Sequence, residues 1–328
     1  MKNITMRDIA RAVGVSAVSV SKALSGDSGV SEALRQRIIS AAQDMGYSHQ
    51  RHSVSRALDV GVLVPERFFA PDSYYSMLAP MLARELASAG HFCLLETLTE
   101  AAEAALEIPR LIRARHVDGL ILLGEPSRAY LRAITQLNVP MVFMDFYDDA
   151  ASAPAVVGDN AYGAYRLTCH LINAGHRDIA YVGNTRLTSS IMDRFLGYYR
   201  AMLTHQLPVR EDWLLNDRDA HGDVIAPELP AQMPTAFVCN CDVTAVRLIE
   251  KLQAAGYRVP EDVSVVGYDD FPATPMPLPA VTTFSVDYAQ MLRFTVQLMI
   301  DRCNGLPELP NRLVVGGEPR YKNSHAPR

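Results

Sequence analysis

Near its start the chain carries three short bursts of helical periodicity. Met6, Ile9, Ala10 and Val13 fall at i, i+3, i+4 and i+7, one apolar stripe of a first helix. Thr5 is placed to cap that helix, with Asp8 three residues later in the reciprocal position. Gly14 supplies a left-handed stop, and Ser16 can cap a second helix. From Ala17 to Leu24, the residues Val20, Ala23 and Leu24 face inward, which leaves Ala17, Val18, Ser21 and Lys22 on the outer face. A loop, SGDSG, leads to a third helix that Ser31 caps and Gly46 ends. Its stripe is Leu34, Ile38, Ala41, Ala42 and Met45.

From Asp59 the pattern changes to short, wholly apolar runs that alternate with amphipathic stretches. The runs are VGVLVP, FCLLET, VDGLILLG and VPMVFMD, then VVGD, DIAYVGN, TAFVCN and VSVVGYD. Between them the spacing predicts helices over 78–89, near 108–115, and over 130–137, 161–174, 193–204 and 243–255. Strands that are apolar on both faces and separated by helices predict parallel sheets covered on both sides. The fold class expected is therefore α/β: a three-helix head followed by a two-lobed core of two parallel, doubly wound sheets. Such cores bind ligands where strand ends face each other across a cleft.

Composition fits this picture: 49% of the 328 residues are hydrophobic and 20% charged, as in an ordinary globular chain. No apolar run approaches the ~18 residues of a membrane span, and the first residues form no signal-peptide core. Cys93, Cys169, Cys239, Cys241 and Cys303 are scattered and odd in number, which suits reduced thiols in the cytoplasm. Cys239-Asn-Cys241 alone is a poor metal cage, so no metal or cofactor is expected.

Charge adds a distinction between head and body. Residues 1–56 hold eight Lys/Arg against four Asp/Glu, while the whole chain is −5; the head is +4 and the remainder −9. A basic head on an acidic body points to a polyanionic partner. Two helices joined by a tight glycine turn and braced by a third form a helix-turn-helix, whose second helix enters the DNA major groove. Ala17 and Val18 suit thymine methyls, and Lys22 suits a guanine edge or a phosphate. Thr5, Ser16, Ser21 and the helix start suit phosphate oxygens.

From Ile4 to Tyr47 the sequence "ITMRDIARAVGVSAVSVSKALSGDSGVSEALRQRIISAAQDMGY" resembles, without a gap, the head of the lactose/galactose-repressor (LacI/GalR) family of bacterial transcription regulators. The resemblance implies base contacts from Ala17, Val18 and Lys22. In the family a Pro-Asn and an Ala-Arg-x-Leu segment come next, forming a hinge helix whose leucine wedges into the minor groove. Here the Pro-Asn is absent, and Ser55-Arg56-Ala57-Leu58 fits only with two extra residues; Leu58 is then the wedge expected. The implied division is residues 1–48 for the head, 49–59 for a hinge linker and 60–328 for an effector-binding and dimerisation core. One lobe would hold 60–157 with 288–315, the other 158–287 with 316–328.

The body resembles the same family through "VDGLILLG", "DNAYGAYRLTCHLINAGHRDIAYVGN", "DRFLGYYRAM" and "VPEDVSVVGYDDFP". Asp145, Asp242 and Asp269 each end or follow a predicted strand, and Arg194 lies one turn after Ser190. Carboxylates and an arginine around a cleft suit the paired donors and acceptors of sugar hydroxyls. The resemblance implies effector contacts at the positions of Asp145, Ser190, Arg194 and Asp269. The family's asparagine immediately before the position of Asp242 is Cys241 here, with Asn240 one residue earlier. Tyr74, Tyr75 or Phe271 could supply the stacking face that some members use.

A sequence-specific DNA-binding regulator, a repressor of carbohydrate genes gated by a sugar-like effector, is the function expected. Its partners would be a pseudo-palindromic operator of double-stranded DNA, the effector and a second copy of the chain. The alternative, a solute-binding protein of the same core fold, leaves the basic head without a role. No G-x-S-x-G elbow, Walker loop or His-Glu-x-x-His is present, and no nucleophile is paired with the carboxylates, so an enzyme is not expected.

Overall fold

The computed structural model describes residues 6–25, 29–45, 56–70, 73–151, 153–220, 222–270, 279–306 and 310–328. It divides into two compact units, Met1–Arg56 and Ala57–Arg328.

The first unit holds α1 (Met6–Val13), α2 (Ala17–Ser25) and α3 (Glu32–Asp44). Gly14 stands at φ +75°, and its N–H closes on the Ala10 carbonyl, so the chain leaves α1 by the left-handed turn that glycine permits. The Ser16 hydroxyl then accepts the Ser19 N–H at 3.1 Å and caps α2. Ile9, Ala10, Val20, Ala23, Ile38 and Ala42, two from each helix, form one buried core. Arg35 on α3 donates to the Lys22 and Ala23 carbonyls at 3.2 and 2.9 Å, satisfying carbonyls in the last turn of α2.

The second unit begins with β1 (Asp59–Pro65), α4 (Tyr74–Ser88), β2 (Phe92–Leu98), α5 (Glu100–Ala104) and α6 (Arg110–Arg113). It continues through β3 (Gly119–Leu123), α7 (Arg128–Ile134), β4 (Met141–Met144) and β5 (Ala155–Gly158). Next come α8 (Asn160–Asn173), β6 (Ile179–Val182), α9 (Ser189–Thr204), β7 (Leu214–Leu215), β8 (Ala236–Cys239), α10 (Asp242–Ala254) and β9 (Ser264–Val266). Last are β10 (Thr283–Val286), α11 (Tyr288–Cys303), β11 (Arg312–Val315) and β12 (Gly317–Arg320).

One sheet runs β11-β5-β4-β3-β1-β2 and the other β7-β6-β8-β9, all pairs parallel. The α/β class with two parallel sheets read from the sequence is the fold observed. A third, two-stranded sheet pairs β10 with β12 antiparallel. Bridges from Val266 to Thr282 and from Asp269 to Ser285 tie β10 to the β9 side, while β11 rejoins the first sheet. The chain thus leaves the first lobe after β5, returns through α11 and leaves again after β11.

The helix expected near 108–115 is a single turn. Pro109 opens it, Glu96 accepts the Arg110 and Leu111 N–H groups at 2.9 Å, and Arg115 at φ +54° ends it. The largest core cluster joins β1, β3, α4 and α11 of the first lobe to α8, α9 and β6 of the second. Across α8 and α9 the backbones nearly touch, and a β-carbon on Gly197 would run into the Ala161 carbonyl.

Candidate functional site

In the head, Ser16 caps α2, and Lys22 stands exposed in its last turn. Ala17 is half-buried at the rim of the three-helix core rather than wholly on the outer face, because it opens α2 where the turn brings it against α1. Thr5 and the side chains of Val18 and Ser21 lie outside the described residues, as does the linker from 46 to 55. Leu58 is bonded into the body. Its N–H donates to His91 Nδ1 at 3.1 Å, its carbonyl accepts the Phe92 N–H at 2.8 Å, and its side chain packs on the core. A wedge at Leu58 therefore requires those bonds to open.

In the body, strand ends of both sheets converge on a cavity of about 110 Å³ lined by Tyr74, Tyr75, Asp145, Ser190, Arg194, Asn240 and Asp269. Phe68, Leu187, Arg218 and Cys241 also line it. Leu187 and Thr188 border both this cavity and an open basin of about 850 Å³.

Arg194 is the hub. Its Nε donates to Asn160 Oδ1 and its Nη1 to the Asn240 carbonyl, both at 2.7 Å, while Nη2 lies 3.0 Å from Asp269 Oδ1. The guanidinium also lies 4.0 Å above the Tyr268 ring. Burial opposes its charge, but Asp269, Tyr268 and Asp145 outweigh that and raise its pKa, so it stays a cation.

Asp145 accepts the Tyr75 hydroxyl at 2.7 Å, and burial raises its pKa against the pull of Arg194. Asp269 is pushed up to about 7, by burial first and by neighbouring Asp145, with Arg194 opposing. Tyr288 donates to the Asp269 carbonyl at 2.7 Å and holds the strand end in place. Tyr74 meets Tyr75 edge-on at 4.9 Å, so this aromatic pair forms one wall.

The two lobes are latched beside this cavity. Glu125, past β3, accepts both the N–H and the hydroxyl of Ser189 at 2.7 and 2.9 Å. The Ser190 hydroxyl donates to the Asp145 carbonyl at 2.6 Å, and Tyr147 donates to Asp193 at 3.0 Å. Residues past two strands of the first sheet thereby grip the first turns of α9.

One of the expected contacts falls elsewhere, and another faces the cavity with its backbone alone. Asp242 is absent from the cavity wall. It opens α10, its Oδ2 accepts the Asp270 N–H at 2.9 Å, and its Oδ1 points where Gly267 has no side chain. Its role in the structure is to hold the turn after β9. Asn240 presents only its carbonyl, to Arg194; its amide is tied to Asp217 Oδ2 at 2.6 Å and to Val182. Phe271 lies outside the described residues. Cys239 and Cys241 are buried, burial raises both thiols, and no group of three His, Cys, Asp or Glu among the described residues could hold a metal.

Sequence reasoning missed Asn160, Glu125, Ser189 and Arg218. Asn160 had a signal, its place next to Asp159 at a helix start. Arg218 comes after a two-residue strand too short to register as a periodic run.

Residues 5–50 match the family model "Bacterial regulatory proteins, lacI family", and residues 168–324 match "Periplasmic binding protein-like domain". The chain thus carries a lacI-family head domain followed by a periplasmic-binding-protein-like domain. Similarity runs over nearly its full length. A PurR transcriptional repressor of Glaesserella parasuis is 27% identical over 94% of this chain and 93% of its own. The ribose operon repressor of Haemophilus influenzae is 26% identical over 95% of each. Among solved structures, a transcriptional regulator CelR–cellobiose complex superposes with a TM-score of 0.70 at 26% identity, over 98% of this chain and 99% of that one. These relatives are regulators, and this chain, with its lacI-type head and periplasmic-binding-protein-like core, is a ligand-gated transcriptional repressor, not an enzyme. Among the described residues no helix is long and apolar enough to cross a membrane.

Proposed function

We propose that this repressor acts in the cytoplasm as a homodimer whose two heads hold a pseudo-palindromic operator, and that a small polyhydroxylated effector in the interlobe cavity sets its grip. The observation that carries the effector site is the convergence of Asp145, Ser190, Arg194 and Asp269 from separate strand ends and a helix start on one cavity. Acceptor carboxylates beside a fixed cation match the alternating donors and acceptors of a sugar. At the DNA end, Ala17, Val18 and Lys22 would meet base edges, with Thr5, Ser16 and Ser21 on phosphates. Two heads related by a dimer's twofold axis would match an operator of the same symmetry. Leu58 would wedge the minor groove only after leaving its bonds to His91 and Phe92.

Fluorescence anisotropy on the chain's own upstream DNA tests the reading. Operator affinity should fall steeply with salt, as counterions are released from each neutralised phosphate. A sugar that alters the affinity should lose its effect in Arg194→Ala. Salt-independent binding would remove the DNA reading, and a ligand effect that survives Arg194→Ala would move the effector out of the cavity.

A further inference from the structure

We infer that the effector carries an anionic group, a carboxylate or a phosphate, and that Arg218 reads it. This rests on the reading that the effector occupies the interlobe cavity. Two arginines line that cavity, and they are in different states. Arg194 has spent all three nitrogens on Asn160, Asn240 and Asp269. Arg218 has spent one. Its Nη1 is held by the Asp217 carboxylate, by the Asp217 carbonyl at 3.2 Å and by Thr244 Oγ1 at 3.4 Å.

The anchor is rigid. Asp217 is fully buried and also accepts from Asn240 Nδ2 and Thr244 Oγ1 at 2.6 Å and from the Asn184 N–H at 2.9 Å. Arg218 itself keeps only 10% of its side-chain surface. Its Nε and Nη2 have no protein partner among the described residues, and the residue faces the cavity. Those two nitrogens form the side of the guanidinium whose N–H bonds run parallel, at the spacing of two oxygens on one carboxylate or phosphate.

Two adjacent donors on so nearly buried a guanidinium match best the two oxygens of one carboxylate or phosphate, which charge-assisted hydrogen bonds hold more strongly than they hold neutral hydroxyls. Asp145 and Asp269 line the same cavity and offer acceptors for hydroxyls. The ligand that satisfies both sets of groups is a small polyhydroxylated acid or a phosphate ester of a polyol, its anionic group on Arg218 and its hydroxyls on the aspartates.

The test is calorimetric titration of the full chain with D-gluconate, D-glucose 6-phosphate and neutral D-glucose, extended to C4–C6 aldonates, their phosphate esters and the neutral parents. Each is repeated on Arg218→Lys, which keeps a positive charge beside Asp217 and loses the fork. Melting of the unliganded variant checks its fold. We expect at least one acid or ester to bind tenfold or more tightly than its neutral parent, and Arg218→Lys to remove that preference. The carboxylate and phosphate arms tell which anion the fork takes. The inference is overturned if a neutral parent binds as well as its acid, or if Arg218→Lys binds the acid as the parent protein does. A neutral sugar that binds and is lost in Arg194→Ala would overturn the anionic class and keep the effector cavity. Absence of binding by every acid and ester would also overturn the anionic class. Binding that survives both arginine changes would remove the cavity reading as well.

Discussion

Asp145 and Asp269 stand just past strand ends at φ +69° and +108°, in the region that side chains other than glycine rarely adopt. Such strain is of order 1–3 kcal/mol for each residue and persists where the surroundings over-determine the backbone, as at ligand sites. Here the Asp145 carbonyl is held by Ser190 and the Asp269 carbonyl by Tyr288. The strain turns both carboxylates into the cavity beside Arg194. Burial then gives Asp269 a pH signature. With its pKa at about 7 in the folded chain, against 3.8 as the ordinary value, the folded state keeps a proton that the unfolded state has lost between those limits. Stability from this group is present below about pH 4 and is lost as pH rises through about 7. Asp269→Asn cannot titrate, so its stability relative to the parent should climb across that window, by up to a few kcal/mol, and flatten above it. Urea unfolding of both proteins at pH 5, 6, 7 and 8 measures the gap. A gap constant with pH would mean that Asp269 is ionised throughout.

At the level of elements, the start of α9 does two jobs: it carries Ser190 and Arg194 into the cavity and receives the Glu125 latch through Ser189. Glu125→Ala removes two hydrogen bonds to a carboxylate, and burial has already raised that group's pKa. The closed form should become less populated, so an effector that binds it should lose roughly tenfold in apparent affinity. Small-angle scattering should report a larger radius of gyration; an unchanged radius and affinity would mean that the other interlobe bonds suffice. Further along α9, Gly197→Ala would force α8 and α9 apart and should cost about 1–3 kcal/mol in urea unfolding, read directly from the shift in midpoint.

The main strands and helices of both lobes were legible in the sequence because a strand buried on both faces is a continuous apolar run, as at GLILL and IAYV. Asp269 was legible because it follows such a run, and Arg194 because it lies one turn after Ser190 in a segment that resembles the family. The parts that escaped lack a period. The two-residue β7 is too short to show one, the caps and latches at Glu125 and Ser189 are single polar residues, and the antiparallel pair of β10 and β12 is formed by segments more than thirty residues apart. Asp242 misled because a carboxylate that opens a helix and one that faces a ligand occupy the same place after a strand.

For the molecule as a whole, the head and the cavity belong to separate compact units, and the repressor works only if occupancy of one changes the affinity of the other. Thermodynamics makes that coupling reciprocal: the factor by which effector changes operator affinity must equal the factor by which operator changes effector affinity. For coupling energies of about 1–3 kcal/mol, each factor is roughly 5–150-fold. Two titrations decide it, anisotropy of labelled operator at saturating effector and at none, and calorimetry of effector with the chain free and operator-bound. Equal factors would place both events on one equilibrium between two forms of the chain, with its sign naming the ligand as inducer or corepressor. The latch at Glu125 supplies the internal control, because it bonds the two lobes to each other within the second unit. If closure is the coupled event, Glu125→Ala should shift operator affinity even without effector, in the direction opposite to the effector's own. An effector response that keeps its full size while Glu125→Ala leaves operator binding untouched would assign the signal to some motion other than cleft closure.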